Sequence, residues 1–534
     1  MIKRALVSVT DKSGIVDFCR SLHDEFGIEI VSTGGTAAAL LEANVPVIGI
    51  EDVTGFPEMM DGRVKTLHPK VHGGLLARRT NNSHMRAVEE HDIVPIDLVV
   101  VNLYAFKETI SKAGVSEEDA IENIDIGGPS MLRSAAKNFE SVTVLTRPDS
   151  YREILDELRE NSGSTTLATR RALAQQVFAL TSAYDLAIAD YLSAVKQDNP
   201  ASLAAIELEK VQDLRYGENP HQKATFYRHK GDISNSLAAA QQLQGKELSY
   251  NNILDTDAAW AAVRELDGPS CVIVKHTNPC GAASNEDIVR AYKLAWAGDP
   301  ISAFGGIIAI NVPATVTLVE AIFANKQFVE VFIAPDFEKS ALDLLRTKPN
   351  MRVLKTGGVN IPGGRPALRS VEGGVLVQDE DTATEDPKAF VVAGAVQLDE
   401  DSMDDLIFAW KMCKSVKSNA ITIARAQQLR GMGAGQPNRV NSARIAIEQA
   451  RRCASTEEPT AEVFDPAKTA PGTEGCVAAS DAFIPFPDTV EVLAEAGIKA
   501  IIQPGGSIRD EEVLAAADKA GMAMVFTGHR HFRH

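Results

Sequence analysis

The first fifty residues read MIKRALVSVTDKSGIVDFCRSLHDEFGIEIVSTGGTAAALLEANVPVIGI. Three apolar runs, ALVSV at 5–9, IEIVST at 28–33 and VPVIGI at 45–50, have the length of buried strands, and the stretches between them carry helical spacing. Ile15, Phe18, Cys19, Leu22 and Phe26 recur every three or four residues, which turns one apolar face of a first helix toward the sheet. Strand, helix, strand, helix, strand implies parallel pairing through right-handed crossovers. IDLVVVNLY at 96–104 and SVTVLT at 141–146 continue the pattern, so an α/β domain closes near residue 150.

From Tyr151 to about Lys196 the chain is alanine-rich and helical in period, and KQDNPAS at 196–202 ends that stretch with polar residues around Pro200. The expected first domain is therefore 1–198. Beyond it, CVIVKH, GGIIAIN, VEVFIAP, AITIARA, AIIQPGG and MAMVFTG again alternate with helical segments, over too many residues for one ordinary core. Two further α/β lobes are expected, 199–388 and 389–534, joined near the acidic run QDEDTATEDP. No internal repeat is visible between them.

The length of 534 residues and a hydrophobic content of 45% supply material for several cores and exclude both a small module and a disordered chain. The formal charge of -18 excludes a surface that grips duplex nucleic acid or anionic lipid as a whole, so an anionic ligand needs a local basic patch. None of the six cysteines falls in a C-x-x-C spacing, which argues against a zinc knuckle or redox pair. The N-terminus lacks an apolar signal region and no run approaches the ~20 apolar residues that cross a bilayer. A cytoplasmic protein without membrane or nucleic-acid partners is expected.

Four constellations can carry chemistry. Ser32, Thr33, Gly34, Gly35 and Thr36 lie between a strand and a helix, where free amides and the helix dipole make a phosphate cradle; the plain alternative is an N-cap with a glycine turn. It is not a Walker A loop. Between Arg63 and Arg86 stand six Lys or Arg residues and no acid, with Gly62, Pro69, Gly73 and Gly74 interleaved; this reads as a shaped anion-binding loop or as a solvated basic one. In NIDIGGPSMLRSAAKN, Arg133 and Lys137 share a helix face and Asp125 precedes the helix, so a carboxylate and an ammonium could act on one ligand, or Asp125 could simply cap the helix. Finally, Lys275 and His276 follow an apolar run at the carboxyl end of an expected parallel strand, where open α/β sheets place ligands, and a histidine beside a lysine suits proton transfer.

Two suggestive patterns fail. Pro279-Cys280 hints at a zinc deaminase, but no H-x-E precedes it and Ala283 stands where the second cysteine belongs. GMGAGQ at 431–436 lacks the third glycine of a dinucleotide loop, so no nicotinamide cofactor is expected. Phe483 and Phe486 could stack on a heterocycle or fill a core, and the tail TGHRHFRH could fray or fold back into a site.

Taken together, SVTDKSG, STGGT, DGRVKTLHPKVHGG, NLYAF, IDIGGPSMLRSAAKN, LRYGENPHQ, KHTNPCGAA, SNAI, GAGQPNR, SDAFIPF and RHFRH resemble one family in order along the whole chain: AICAR transformylase fused to IMP cyclohydrolase. The resemblance implies a methylglyoxal-synthase-like cyclohydrolase domain, then a transformylase of two cytidine-deaminase-like lobes without zinc. It implies formyl transfer from 10-formyltetrahydrofolate to AICAR, dehydrative closure of formyl-AICAR to IMP, and a homodimer with transformylase sites at the interface. By the same resemblance Lys275 and His276 are catalytic in the first step and Lys137, Lys65, Tyr104 and Asp125 in the second. The cyclohydrolase substrate would meet Thr10, Asp11, Lys12, Ser32, Thr33, Gly34, Gly35, Arg63, Thr66 and Asn102. AICAR would meet Arg215, Tyr216, Gly305, Glu330, Asn419, Arg439, Phe483 and Arg530, with Ser507 near the folate; Glu330 stands where an aspartate is expected. No metal is called for. The rival from another class is a purine-ribonucleotide sensor without turnover, for which proton-transfer groups in both halves are superfluous.

Overall fold

The computed structural model describes residues 1–60, 63–104, 106–112, 114–194, 206, 208–360, 363, 366–383, 386–453 and 472–534. The chain forms two compact units, Met1–Glu207 and Leu208–His534. The expected cut at 198 and part of the join near 385 lie outside the described residues.

The first unit is built on five strands: β1 Arg4–Ser8, β2 Glu29–Ser32, β3 Ile48–Gly49, β4 Leu98–Val101 and β5 Thr143–Leu145. They run parallel in the order β3-β2-β1-β4-β5. VPVIGI yields only two strand residues, because a helix, Ile50–Thr54, begins at once. The strand residues are buried because helices cover both faces of a parallel sheet. Helix Ile15–Phe26 buries Ile15, Phe18, Cys19 and Leu22, each large apolar side chain contributing about 2 kcal/mol of transfer free energy. Gly27, in the left-handed region at φ 67°, ends that helix. The alanine-rich stretch forms Tyr151–Glu160 and the 28-residue helix Leu167–Ala194. In the order 3-2-1-4-5 the chain reverses direction of winding between β1 and β4, and the crevice at their carboxyl ends is the natural ligand position.

The second unit carries one twelve-stranded sheet rather than two separate ones. From one edge the order is Val391–Ala393, Ala523–Phe526, Ala500–Gln503, Val477–Ser480, Ile421–Arg425 and Gln428–Gly433; it continues with Asn278–Ser284, Ser270–Lys275, Gly306–Ile310, Val329–Ala334, Arg352–Lys355 and Gln241–Gln244. The two halves repeat the same arrangement outward from the centre, where Ala283 pairs with Gln428. Each half has an antiparallel hairpin, then an antiparallel neighbour, two parallel pairings and an antiparallel edge strand. The repeat absent by eye in the sequence is thus plain in the fold. Gln428, fully buried, donates from Nε2 to the carbonyl of Leu294 at 2.8 Å and ties the halves together.

Ser270–Lys275 is antiparallel to both of its neighbours, not parallel as expected. A strand buried on both faces has the same apolar run in either case, so its own sequence does not report its neighbours' direction.

Candidate active sites

At the carboxyl edge of the first sheet, the side chain of Asn102, just beyond β4, bridges to the segment just beyond β1. Its Oδ1 accepts from the backbone N–H of Thr10 and of Asp11 (3.1 Å), and its Nδ2 donates to the Asp11 carbonyl at 3.1 Å. A cleft of about 710 Å³ opens there, lined by Thr10, Asp11, Ser13, Asn102, Glu108 and Arg147 among others. Hydrogen bonds from Ser13 hold the Asp11 carboxyl below its usual range.

Beside it, Thr33 occupies the N-cap of helix Gly34–Glu42 without making a side-chain cap bond; its hydroxyl lies 3.3 Å from Ser8 Oγ. The helix start is left to outside acceptors. Two ammonium groups reach it from different segments. A Cβ on Gly34, whose φ is 47°, would lie 3.6 Å from Lys65 Nζ, and one on Gly35 would lie 3.9 Å from Lys12 Nζ. Glycine therefore lets two cations approach the same amides an anion would use. Ser32 is spent on the fold, donating to the Val7 carbonyl at 2.7 Å.

The basic segment divides. Lys65 pairs with Glu58 at 2.9 Å and Arg63 with Glu122, so acids from elsewhere meet the patch, while Thr66 is buried. Arg79 is structural: its guanidinium donates to the carbonyls of Ala77, Gly74 and Ile96.

Asp125 accepts from the N–H of Gly128 at 2.8 Å and from that of Tyr104. Burial pushes its carboxyl up, more than those two bonds bring it down. Its own N–H donates to Tyr184 Oη at 2.7 Å, a partner the sequence did not reveal. A Cβ on Gly127 would lie 3.0 Å from Thr66 Oγ1, so Asp125 and Thr66 flank one helix start. Lys137 sits exposed in the last turn of the same eleven-residue helix, about 15 Å along the axis from Gly127. The helix geometry does not bring it to Asp125. Arg133, on the same face, packs over the Phe178 ring and donates to Thr181.

In the second unit the two central hairpins share one device. The Asp255 carboxylate accepts from the N–H groups of His276 (3.2 Å) and Thr277 (2.7 Å); the Asp405 carboxylate accepts from Ala426 (2.9 Å) and Gln427 (2.7 Å). All four turn residues have φ between 51° and 61°, the left-handed pair of a type I′ turn, without the glycine or asparagine that turn favours. The two carboxylate bonds offset that strain. One hairpin thus presents His276, exposed at its tip, and its counterpart presents Ala426.

Beside His276, Lys275 and Gly305 meet, and hydrogen bonds lead from the turn to the segment of Asn419. Lys275 Nζ donates to the carbonyls of Phe304 (3.0 Å) and Gly305 (3.1 Å), and Gly305 has φ 68°. Asn278 donates to the His276 carbonyl at 2.9 Å and accepts from the Lys417 N–H at 3.5 Å, linking the turn to the segment that carries Asn419. Asn419 Oδ1 accepts from Arg439 Nη2 at 2.8 Å, and Arg439 also pairs with buried Asp481. Phe483, 41% exposed, lies two residues further on. The tail folds back: His531 donates its N–H to the Asp481 carbonyl at 3.0 Å, with Arg530 beside it stacked over Phe532. Glu330 is held by Arg352 at 2.8 Å. Arg215, stacked on Tyr216, and Ser507 stand on separate loops, and no hydrogen bond among the described residues joins them to the His276 cluster.

The cysteines take no part. All six are buried and free, and burial pushes the thiols of Cys19 and Cys453 up to about 12. Among the described residues no group of three or more His, Cys, Asp or Glu could hold a metal ion, and no helix is long and apolar enough to cross a membrane.

A family model described as the AICARFT/IMPCHase bienzyme matches residues 135–449, and one described as an MGS-like domain matches residues 14–130. The chain is 51% identical, over the whole of both chains, to the bifunctional purine biosynthesis protein PurH of Bacillus thuringiensis (strain Al Hakam). This chain belongs to the AICARFT/IMPCHase bienzyme family. The PurH of Bacillus cereus (strain 03BB102) is likewise 51% identical over the full length of both. A solved structure described as the crystal structure of ForH matches 36% of this chain and 99% of its own length at 37% identity, with a TM-score of 0.34. The chain is thus a bifunctional enzyme of purine biosynthesis, AICAR formyltransferase and IMP cyclohydrolase in one, and its first unit holds the MGS-like domain.

Proposed function

We propose that the second unit transfers the formyl group of 10-formyltetrahydrofolate to AICAR at His276, and that the first closes the product to IMP at Asp125. The 5-amino group of AICAR is conjugated with its carboxamide and is a weak nucleophile. His276 takes its proton as nitrogen attacks the formyl carbon; the tetrahedral oxyanion collapses, the bond from carbon to folate nitrogen breaks, and the proton passes to that nitrogen. Lys275 supplies positive charge beside the oxyanion. Asn419, Arg439, Phe483 and Arg530 hold AICAR, with Gly305, Glu330, Arg215 and Tyr216 completing the site and Ser507 near the folate. The exposed turn that Asp255 holds in place supports this reading, because it fixes the histidine backbone while leaving the ring free for substrate.

In the cyclohydrolase, Thr33, Gly34 and Gly35, with Thr10, Lys12, Lys65, Arg63 and Thr66, take the phosphate, and Ser32, its hydroxyl given to the Val7 carbonyl, supports the cradle. Asp125 takes the proton as the carboxamide nitrogen attacks the formyl carbon and passes it to the oxyanion; the hydroxyl so formed leaves as water with the proton of the formamide nitrogen, which becomes doubly bonded to that carbon, and Tyr104, Lys65 and Lys137 are the remaining proton-transfer candidates. Asp11 and Asn102 shape the crevice. The domains we assign are 1–198 for the cyclohydrolase and 199–388 and 389–534 for the transformylase lobes. We place the enzyme in the cytoplasm, and a homodimer accords with the two-stranded hairpin Pro366–Asp379, which exposes Leu368, Val371, Val375, Leu376 and Val377, because such a ribbon is marginal without a covering partner.

Purified protein incubated with AICAR and 10-formyltetrahydrofolate should release IMP and tetrahydrofolate, followed by absorbance and product chromatography. Tight binding of AICAR without turnover would instead mark a nucleotide sensor.

A further inference from the structure

Arg439 is only 7% exposed and Asp481 not at all, so their charges are stable there only if both are fully bonded. Arg439 Nη1 pairs with one Asp481 oxygen and donates to Ser480 Oγ at 2.9 Å, while Nη2 orients Asn419. The other Asp481 oxygen accepts the Ser418 hydroxyl. That same hydroxyl accepts the Arg533 N–H at 3.2 Å, the Ser418 N–H donates to the Arg533 carbonyl at 2.9 Å, and Arg533 Nη1 reaches the Ser415 carbonyl at 2.9 Å. The His531 N–H caps the Asp481 carbonyl from the same tail. Ser418 Oγ therefore joins the tail backbone to the Asp481 carboxylate, beside the direct bond from the His531 N–H to the Asp481 carbonyl.

We propose that the C-terminal tail is a positioning element of the transformylase: residues 531–533, acting through Ser418 and Asp481, fix the orientation in which Arg439 and Asn419 receive AICAR. This rests on the reading that those two residues bind AICAR. Lys275 and His276 are held by Asp255 and the Phe304-Gly305 carbonyls, and the tie from their turn to this segment, Asn278 to the Lys417 N–H at 3.5 Å, does not pass through the Ser418 hydroxyl or the tail. Loosening the tail should thus weaken substrate binding in ground and transition state alike, which raises KM and spares kcat.

Ser418→Ala removes the joining atom, and Ser418→Thr keeps the hydroxyl. For Ser418→Ala, KM for AICAR should rise about tenfold with kcat within about threefold of wild type, cyclisation of formyl-AICAR should be unchanged, and Ser418→Thr should restore KM. Deletion of residues 531–534, which leaves Arg530, should raise KM in the same way. An unchanged KM in both Ser418→Ala and the deletion overturns the proposal, as does an equal fall in kcat, or failure of both to fold, which would make the tail a folding element. Wild-type protein without formyl transfer would instead overturn the reading beneath it.

Discussion

Asp125 sits half-buried with its carboxylate against two backbone amides, and the two influences oppose each other. Burial is the larger and raises its pKa. The folded protein then holds this proton more tightly than the unfolded chain, so the stability associated with it is present at low pH and is lost as the pH climbs through the raised pKa. Asp125→Asn keeps an oxygen for the Gly128 N–H but carries no charge. Its melting temperature at pH 7 should equal or exceed that of wild type, with the advantage shrinking toward pH 4, as read by thermal unfolding across that range. Cyclisation of supplied formyl-AICAR should fall about a hundredfold or more. A variant less stable than wild type at every pH would refute the burial argument. Asp125 was legible in the sequence because a carboxylate before Gly127-Gly128-Pro129 marks a helix start. Tyr184, 59 residues away, was not, because helical period does not tell which residue of an alanine-rich helix meets a distant loop. Lys137 was legible as a cation on a helix face, but the length of that helix keeps its backbone from Asp125.

The paired hairpins show why an element can be read correctly while its surroundings are not. The first strand of each hairpin was evident as an apolar run and the second, NPCGAAS or QLRGMG, was not; the turns between them, His276-Thr277 and Ala426-Gln427, lack hairpin residues and depend on Asp255 and Asp405 in preceding helices. A second device is shared at this scale. A Cβ on Gly281 would lie 1.9 Å from the Ala295 carbonyl oxygen, and one on Gly431 would lie 2.1 Å from that of Ala446. In each half a helix packs its backbone directly on the second hairpin strand. Neither contact can yield without moving the helix. Gly281→Ala and Gly431→Ala should each destabilise the second unit by about 3 kcal/mol, measured by urea unfolding. Wild-type midpoints in both would show that the helices are not seated as described.

Across the whole molecule, the α/β class, the strand runs and the pair Lys275-His276 at a strand end were readable from local pattern, while the other residues assigned to that site came from the family resemblance. The twelve-stranded sheet was not, since its symmetry lies in pairings between residues far apart in the chain, and the two halves share shape more than residues. That duplication places a histidine on one turn and an alanine on the other, while the crevice we assign to the cyclohydrolase belongs to a separate compact unit. The two chemistries should therefore be separable by one substitution. The most direct measurement is the pair of half-reactions in His276→Ala. Formyl transfer from 10-formyltetrahydrofolate to AICAR should be lost, while supplied formyl-AICAR still closes to IMP at the wild-type rate. Equal loss of both activities in a folded protein would contradict two independent sites.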